Sequence, residues 1–452
     1  MGPLRGITNC MKKIKPELIS PAGDLEKLKM AFLYGADAVY ASTPKFSMRT
    51  REIGFTEKSL KEGIAYAHSL GKKVYLTLNT FPHSSEIEAL KKHAQKTVAL
   101  KPDAIIVADP GALSYLKSIT NIPIHLSTQA NTTNYLSAEF WRAQGVERIV
   151  LARELSLKDI KLMHSYLSSS GRRSHSPGIQ YSSNNALDSR TPLGIHDLRG
   201  NDNQVGLEAF IHGAMCMAYS GRCQISNYML GRDPNKGVCA QPCRYKYRLF
   251  ELEEDSRKGQ KYQIYEDDNG SYIINSKDLC MIEHIPELIE AGITSFKIEG
   301  RLKGVYYVGV VTRAYRQAID QYFDDPDVYQ KNKSQYMREL KKTSSRGFET
   351  GFYFHAPDKN TNNYATSRAK SAWDLLGIVK NYQNGEMVVE LNNRTILGTN
   401  IEIVTPSPII KSKISKMISK KGEIKIGHAG TIVNIPINKK IPIGSFIRAK
   451  IK

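Results

Sequence analysis

Short apolar runs alternate with amphipathic segments along residues 16–166, and this alternation predicts strands and helices in turn. The predicted strands are 36–40, 73–78, 104–107, 123–126 and 148–151, with helices such as 57–70 and 84–100 between them. Because these strands are continuously apolar, both faces of their sheet must be covered, which is typical of a parallel sheet flanked by helices.

Polar residues directly follow several of the predicted strands. They are Ser47, Arg49, Asn79, Thr80, Asp109, Gln129, Asn131, Arg153 and Glu154. In a (β/α) barrel such positions form the C-terminal rim, where active sites are built, although an open doubly wound sheet would place them similarly. No glycine-rich phosphate loop follows the first strand, so a Rossmann dinucleotide site is not expected. The sequence favours an α/β fold with a TIM-barrel-like (β/α) catalytic domain over residues 16–370.

Three arginines are candidates for binding a small-molecule carboxylate, because each lies at a predicted strand end: Arg49, Arg153 and Arg301. A guanidinium group forms paired hydrogen bonds with a carboxylate. The alternative is a salt bridge to a neighbouring acidic residue, Glu154 or Glu299.

The remaining segments complete the predicted domain organisation. Residues 291–301 predict a helix end, a strand and another rim loop, and residues 306–323 predict a helix. From residue 371 to 452, short alternating strands with turns such as Asn384-Gly385 predict a small C-terminal β-barrel. The serine-rich stretch at about 167–205 predicts a mobile insertion, with an RNA-contacting arm as the alternative. Residues 1–15 form an N-terminal extension, and Met11 is a possible true start.

The charge balance indicates a polyanionic partner. The 452 residues carry 64 Lys and Arg against 44 Asp and Glu, a net charge of +20. From residue 401 onward, ten Lys and one Arg face only two Glu. A basic terminal domain is typical of contact with a nucleic acid or a membrane surface. No apolar stretch is long enough to span a membrane and the N-terminus lacks a secretory pattern, so a cytoplasmic protein is expected.

Cations and aromatic residues alternate from residue 244 to 248. On a strand, Arg244, Lys246 and Arg248 would share one face, with Tyr245 and Tyr247 on the other. We therefore expect the three cations to bind RNA phosphates while the tyrosines pack inward.

Five of the six cysteines fall within 65 residues, in loops rich in Gly and Arg: Cys216, Cys223, Cys239, Cys243 and Cys280. Without a secretory signal, a disulfide framework is not expected. Scattered buried thiols are one alternative. Structural zinc is another, but it favours closely paired Cys-x-x-Cys knuckles. Irregularly spaced thiolates suit a 4Fe–4S cluster better, because soft thiolate ligands select iron–sulfur or zinc and geometry decides between them.

The sequence around these cysteines resembles the collagenase-like bacterial peptidase family (the U-type, whose mechanism is unassigned). The resemblance covers nearly the whole chain except the insertion, and it departs at Ser42, where glycine is expected. It is carried by EAFIHGAMC at 208–216, SGRC at 220–223, GVCAQPCR at 237–244, SKDLC at 276–280, KIEGR at 297–301 and STQAN at 127–131.

The length, the basic β-rich tail and the CAQPCR run most resemble the tRNA hydroxylation branch of that family. The resemblance implies an iron–sulfur enzyme that converts wobble uridine in tRNA to 5-hydroxyuridine without dioxygen, with prephenate as a possible co-substrate. It implies Cys216, Cys223, Cys243 and Cys280 as cluster ligands, with Cys239 as the alternate. His212 is a candidate hydrogen-bond donor beside the cluster, and a structural histidine is the alternative. A homo-oligomer, or a hetero-oligomer with a related member, is compatible with it.

Two other functions stay open at this stage. Related members of the family hydroxylate ribosomal RNA or a quinone precursor. A peptidase would need a nucleophile and a base in contact, for example Cys216 and His212, but a cysteine that binds the cluster cannot also be a free nucleophile.

Overall fold

The computed structural model describes residues 14–48, 54–170, 205–216, 218–245, 266–267, 270–271, 276–356, 369 and 371–451. Three predicted site residues lie outside these ranges: Arg49, Lys246 and Arg248. Residues 1–13 of the predicted extension and 171–204 of the predicted insertion also lie outside them.

Strands and helices alternate through the first half of the chain, as the hydrophobic pattern predicts. The strands are β1 (Glu17–Ala22), β2 (Ala38–Ser42), β3 (Lys73–Leu78), β4 (Ala104–Val107), β5 (Ile124–Leu126), β6 (Arg148–Val150) and β7 (Gly206–Ala214). The helices are α1 (Leu25–Leu33), α2 (Glu57–Ser69), α3 (Ile87–Ala99), α4 (Pro110–Ile119), α5 (Tyr135–Ala143) and α6 (Leu157–Ser170).

The second half of the chain completes the barrel and adds a β-rich domain. After the short α7 (Ile225–Leu230) come β8 (Glu266–Asp267), β9 (Gly270–Ser271), β10 (Asp278–Cys280), α8 (Ile285–Glu290), β11 (Ser295–Ile298), α9 (Val305–Asp324), α10 (Pro326–Leu340) and β12 (Phe348–Glu349). The C-terminal strands are β13 (Trp373–Gln383), β14 (Glu386–Leu391), β15 (Thr395–Ile396), β16 (Asn400–Val404), β17 (Ile409–Lys413), β18 (Ile418–Ser419), β19 (Gly422–Glu423), β20 (Ile426–Gly427), β21 (Ile432–Pro436) and β22 (Phe446–Lys450).

Eight parallel strands close into a barrel, which confirms the predicted TIM-barrel-like fold. Strands β1 to β7 pair in chain order, and β11 pairs with both β7 and β1. The barrel strands are almost entirely buried; all four residues of β4, for example, are inaccessible or nearly so. Strand β10 pairs antiparallel with the end of β7, and β12 pairs with β10. The C-terminal ends of the eight parallel strands therefore meet at one rim.

Several rim residues that follow the strands serve the helices rather than a ligand. Asp109 accepts a hydrogen bond from the Ala112 amide at 2.8 Å and so caps α4, whose first residue is Pro110. Aspartate before a proline at the first helical position is a strong helix-start signal. Asp109 therefore lies at the rim, where it caps the helix that follows its strand.

The C-terminal strands form a separate antiparallel domain, as predicted for residues 371–452. Its eight-stranded sheet runs β17-β16-β22-β13-β14-β21-β18-β19 and packs around its own hydrophobic core. Asn384 and Gly385 both adopt positive φ, 53° and 76°, in the tight turn between β13 and β14. This is the turn that the Asn-Gly pair predicts.

A buried arginine joins this domain to the barrel. Arg448 on β22 is fully buried and donates hydrogen bonds to Glu402 at 2.6 Å, to Glu339 of α10 at 2.6 Å and to the Tyr306 hydroxyl at 3.2 Å. Phe446 stacks on Tyr34 of α1 with ring centroids 5.0 Å apart. The two domains are thus held together by paired buried charges as well as by apolar contact.

Replacing Arg448 with methionine should destabilise the protein by about 3–5 kcal/mol, because Glu402 and Glu339 lose their buried cation and keep only the half-buried Lys342, at 2.8 and 2.7 Å. Urea unfolding followed by fluorescence measures the change. The exposed Arg394→Met variant in the same domain is the control and should stay within about 0.5 kcal/mol of the parent. Equal stability of the two variants would show that the buried charges do not hold the domains together.

Candidate active site at the barrel rim

A small cavity of about 40 Å³ opens at the rim. Its walls come from strand ends and rim loops all around the barrel, and they are mostly polar. The lining residues are Tyr40, Met48, Thr77, Asn79, Ile106, Ser127, Thr128, Gln129, Val150, Arg153, Phe210, Lys297, Glu299 and Arg301. We call this cavity the rim pocket. It brings together Arg153 and Arg301, two of the three arginines that the sequence singles out.

A chain of buried charges lies beneath the rim pocket. Lys297 donates to Glu208 at 2.7 Å, and Arg148 reaches Glu208 at 3.3 Å and Glu17 at 2.5 Å. Burial alone would raise the pKa of Glu208, but Lys297 and Arg148 outweigh it and lower that pKa to about 2. Glu208 therefore stays ionised, and it fixes the Lys297 ammonium group 4.3 Å from the centre of the Tyr40 ring.

Arg153 is the cation best placed to bind an anion in the rim pocket. Its Nη1 donates to the Ala214 carbonyl at 3.0 Å and lies 3.8 Å from the Cys216 sulfur, and its guanidinium packs 4.1 Å from the Phe210 ring centre. Its Nε is buried and has no hydrogen-bond partner. Glu154 does not pair with it, since Glu154 accepts from the Ser220 amide and hydroxyl at 2.7 and 3.1 Å. One donor of Arg153 is therefore unsatisfied in a buried position next to the rim pocket.

Arg301 organises the wall of the rim pocket. Its guanidinium donates to the Ser42 hydroxyl, to the Thr77 hydroxyl at 3.2 Å and to the Met48 carbonyl at 2.6 Å. The bond to Ser42 accounts for a hydroxyl at a position where the family resemblance leads one to expect glycine. Arg301 thus ties β2, β3 and the loop after β2 together.

The loop cysteines lie near the mouth of the rim pocket. Cys216 is exposed just beyond β7, and Cys223, Cys239 and Cys243 are half-buried. Burial raises the pKa of Cys223, and the neighbouring Cys239 and Cys216 raise it further. Cys243 belongs to a short 3-10 helix, Pro242–Arg244, that contacts α7.

Cys280 lies apart from the loop cysteines. It pairs with His212 inside β7, whereas Cys216 lies beyond the end of that strand. Its buried sulfur lies 3.7 Å from the Tyr315 hydroxyl of α9, and burial raises the pKa of its thiol to about 12.

The thiol-rich loops fit a soft metal centre in their chemistry, because thiolates select zinc or iron–sulfur. In the part of the chain that the structure describes, however, no three His, Cys, Asp or Glu side chains are close enough together to hold a metal ion. The loop thiols therefore fit such a group in their donor chemistry only. The ligand set named from the sequence stays a prediction.

His212 faces away from the rim pocket. Its neighbours Phe210 and Lys297 point into the barrel, but a register irregularity in the β7–β11 pairing places His212 beside Ile298 instead. The imidazole packs between Tyr315, at 3.4 Å from Nδ1, and aromatic rings of α9 and β12. Burial lowers the pKa of His212 to about 3. The Tyr315 hydroxyl that contacts His212 also lies 3.7 Å from the sulfur of Cys280, so a role of His212 beside the cluster stays a prediction.

The predicted RNA-binding run is only partly described. Arg244 ends the 3-10 helix Pro242–Arg244, so residue 244 does not begin a strand there, and Tyr245 after it is exposed. Lys246 and Arg248 lie outside the described residues, and their role stays a prediction. None of the described helices is long and apolar enough to cross a membrane.

The fold and the rim pocket define a class of protein: a two-domain (β/α)-barrel protein with a cationic rim pocket beside a thiol-rich loop. The chain belongs to peptidase family U32. Residues 23–171 and 194–363 match Peptidase family U32, and residues 371–448 match the Peptidase family U32 C-terminal domain.

Relatives in this family align over nearly the full chain. The tRNA hydroxylation protein P of Haemophilus influenzae is 33% identical over 456 residues, covering 91% of this chain and 90% of that protein. The protein of the same name from Helicobacter pylori is 35% identical over 462 residues, covering 96% and 99%. A 23S rRNA 5-hydroxycytidine synthase of Escherichia coli is 34% identical over 304 residues, covering 67% of this chain and 39% of that protein.

Burial of neutral His212 should make the protein less stable in mild acid. The folded state keeps the imidazole neutral, whereas the unfolded chain takes up a proton below pH 6.5, so stability falls as the pH drops from 6.5 towards 3. At pH 5 this costs about 2 kcal/mol. Between pH 7 and pH 5, the free energy of unfolding should therefore fall by about 2 kcal/mol less in His212→Leu than in the parent protein.

Urea unfolding at the two pH values measures this difference, and the exposed His428→Gln variant controls for the loss of an imidazole. The same acid sensitivity in His212→Leu and in the parent would contradict a neutral buried imidazole.

Proposed function

We propose that this protein is an RNA-modifying enzyme that hydroxylates the wobble uridine of tRNA to 5-hydroxyuridine without dioxygen, with a 4Fe–4S cluster and a small carboxylate, prephenate, as co-substrate. The observation that carries the proposal is the rim pocket, where an unsatisfied arginine donor lies beside a thiol. Relatives named for tRNA hydroxylation and for 5-hydroxycytidine synthesis support the reaction class.

The rim pocket has the chemistry for a carboxylate. Arg153 has a buried Nε without a partner, and Arg301 adds a second guanidinium to the same walls, which also carry Glu299. Hydrogen bonds between charged groups are shorter and stronger than neutral ones, and removal from water strengthens them further. A dicarboxylate such as prephenate would be oriented by Arg153 at one end, because that donor is held in place by Phe210 and the Ala214 carbonyl.

The loop thiols are the proposed ligands of the cluster. Cys216 and Cys223 hold it together with Cys243 or its alternate Cys239, and Cys280 is the fourth ligand that the resemblance implies. When bound, an iron–sulfur cluster supplies an electron or a Lewis-acidic iron to the reaction. Arg153 links the two parts of the site, because its Nη1 lies 3.8 Å from the Cys216 sulfur.

An enzyme that modifies a base needs that base out of the helical stack. The anticodon loop of tRNA presents its bases single-stranded, so a shallow pocket at the barrel rim is sufficient to receive one. The basic C-terminal domain supplies positive charge for the rest of the tRNA.

Loss of Arg153 should lower 5-hydroxyuridine formation about 10–100-fold, because a charge-assisted hydrogen bond is worth about 1.5–3 kcal/mol. Nucleoside analysis of tRNA from a deletion strain, complemented with Arg153→Ala, measures the effect. The exposed Arg338→Ala variant is the matched control and should restore the parental level. Full 5-hydroxyuridine in the uncomplemented deletion strain would rule out the proposed reaction.

Anaerobically purified protein should be brown and contain roughly four irons per chain, as expected for a 4Fe–4S cluster. Cys216→Ser and Cys223→Ser should be colourless, and Cys10→Ser is the control that should stay brown. We expect Cys243→Ala to bleach the protein and Cys239→Ala not to; the reverse would exchange their roles. Cys280→Ser tests directly whether this buried thiol is a ligand. A colourless parent protein with stoichiometric zinc would contradict the cluster.

A further inference from the structure

A second cavity of about 380 Å³ lies on the outside of the barrel, between α2, α3 and the loop after β2. We call it the α2–α3 cavity. Its size is within the roughly 300–1,000 Å³ range of small-molecule sites. It is lined by Thr43, Pro44, Lys45, Glu57, Leu60, Ala89, Lys92, His93, Lys96, Thr97 and Leu100.

The α2–α3 cavity has apolar walls and a cationic edge. Lys45, Lys92 and Lys96 are exposed around it. Glu57 lies 3.9 Å from Lys96, and Glu88 interacts electrostatically with Lys92. Three cations therefore line this edge against two carboxylates, and an anion bound here would be stabilised by all three lysines.

His93 adds a polar group inside the α2–α3 cavity. Its Nε2 is buried and has no hydrogen-bond partner in the described residues. Burial lowers the pKa of this imidazole, and the nearby Lys45 and Lys96 lower it further. The other polar side chains of the wall are already bonded: Thr97 donates to the His93 carbonyl at 2.9 Å, and Thr43 makes hydrogen bonds within its own loop. The ring of His93 also lies 5.8 Å from that of Phe46.

The α2–α3 cavity and the rim pocket share one loop. Residues 43–45 line the cavity, and Met48, three residues later, lines the rim pocket. A ligand that occupied both cavities would therefore consist of two adjoining units. Each unit would have a planar or apolar part, and the ligand would carry negative charge near the lysines.

We propose that the α2–α3 cavity binds a nucleotide of the RNA substrate next to the one that reacts, with the base between Leu60, Ala89 and His93 and its phosphate on Lys92 and Lys96. Bases of single-stranded RNA are commonly held by ring stacking and by cations along the backbone. The site rests on the proposed function, because RNA must be the substrate. It adds a second point of attachment that no cysteine or rim arginine provides.

Two variants test the base and the phosphate separately, with a labelled tRNA anticodon stem-loop as the probe. Ala89→Trp fills the α2–α3 cavity and should weaken RNA binding about tenfold. Its control is Ala99→Trp, on the exposed side of the same helix. The double variant Lys92→Ala/Lys96→Ala should lose two phosphate contacts. Each contact contributes about 0.7 to the slope of log K against log salt concentration, so this slope should become shallower by about 1.4.

Lys91→Ala controls for the loss of a lysine on α3, since Lys91 pairs with Glu88 at 2.8 Å and does not line the α2–α3 cavity. Two results would overturn the proposal. One is equal RNA binding by Ala89→Trp and Ala99→Trp. The other is a salt slope that falls by the same amount per lysine in the Lys91 variant and in the Lys92/Lys96 variant. If uridine 5′-monophosphate shifts the His93 resonances while RNA affinity is unchanged in every variant, the cavity is a free-nucleotide site and the proposal also fails.

The outcomes separate this inference from the proposed function. A parent protein that binds no anticodon stem-loop and forms no 5-hydroxyuridine refutes the function itself. A parent that does both, with cavity variants that bind like it, refutes only the α2–α3 site.

Discussion

Lys297 and Glu208 project into the barrel from β11 and β7, the two strands whose pairing closes it, and their side chains meet at 2.7 Å. Both are almost completely buried, and an isolated buried ion costs several kcal/mol. Closure of the barrel therefore brings each charge to its compensating partner, with Arg148 as a second cation. The rim pocket rests on this pair, because the ammonium group held by Glu208 forms part of its wall. The pair thus fixes the floor of the rim pocket, and the cations that it leaves to a ligand are Arg153 and Arg301, which line the pocket together with Glu299.

Much of the barrel can be predicted from the sequence because its strands are buried on both faces. Continuous apolar runs identify β3 and β4 at their observed bounds and β2, β5 and β6 to within two residues. The positions of the rim residues can be predicted from the strand ends in the same way, and Asn79, Gln129 and Arg153 do line the rim pocket. Asp109 shows the limit of that logic, since a polar residue after a strand is also what the next helix needs as a cap.

Where the backbone is irregular, closeness in sequence does not predict which side chains lie close together in the structure. His212 lies four residues before Cys216, and simple alternation would point it into the barrel with Phe210. A shift of one residue in the register turns every later side chain to the other face, which puts His212 and its strand partner Cys280 under α9. The α2–α3 cavity was missed for a different reason. Its lysines come from segments 47 residues apart (Lys45 and Lys92), so no local motif marks them.

The loop between the two cavities is rigidly attached on both sides. The Ser47 hydroxyl donates to the Thr77 carbonyl at 2.5 Å, the Met48 amide donates to the Asn79 side chain at 3.0 Å, and Arg301 binds the Met48 carbonyl. The part of the loop that both cavities share is therefore held against β3 and Arg301 before any ligand arrives. Fixed spacing lowers the entropy lost on binding for a ligand whose units are already linked, and it gives no such advantage to two independent small molecules. A polymer with a regular anionic repeat is the kind of ligand that gains most from this arrangement.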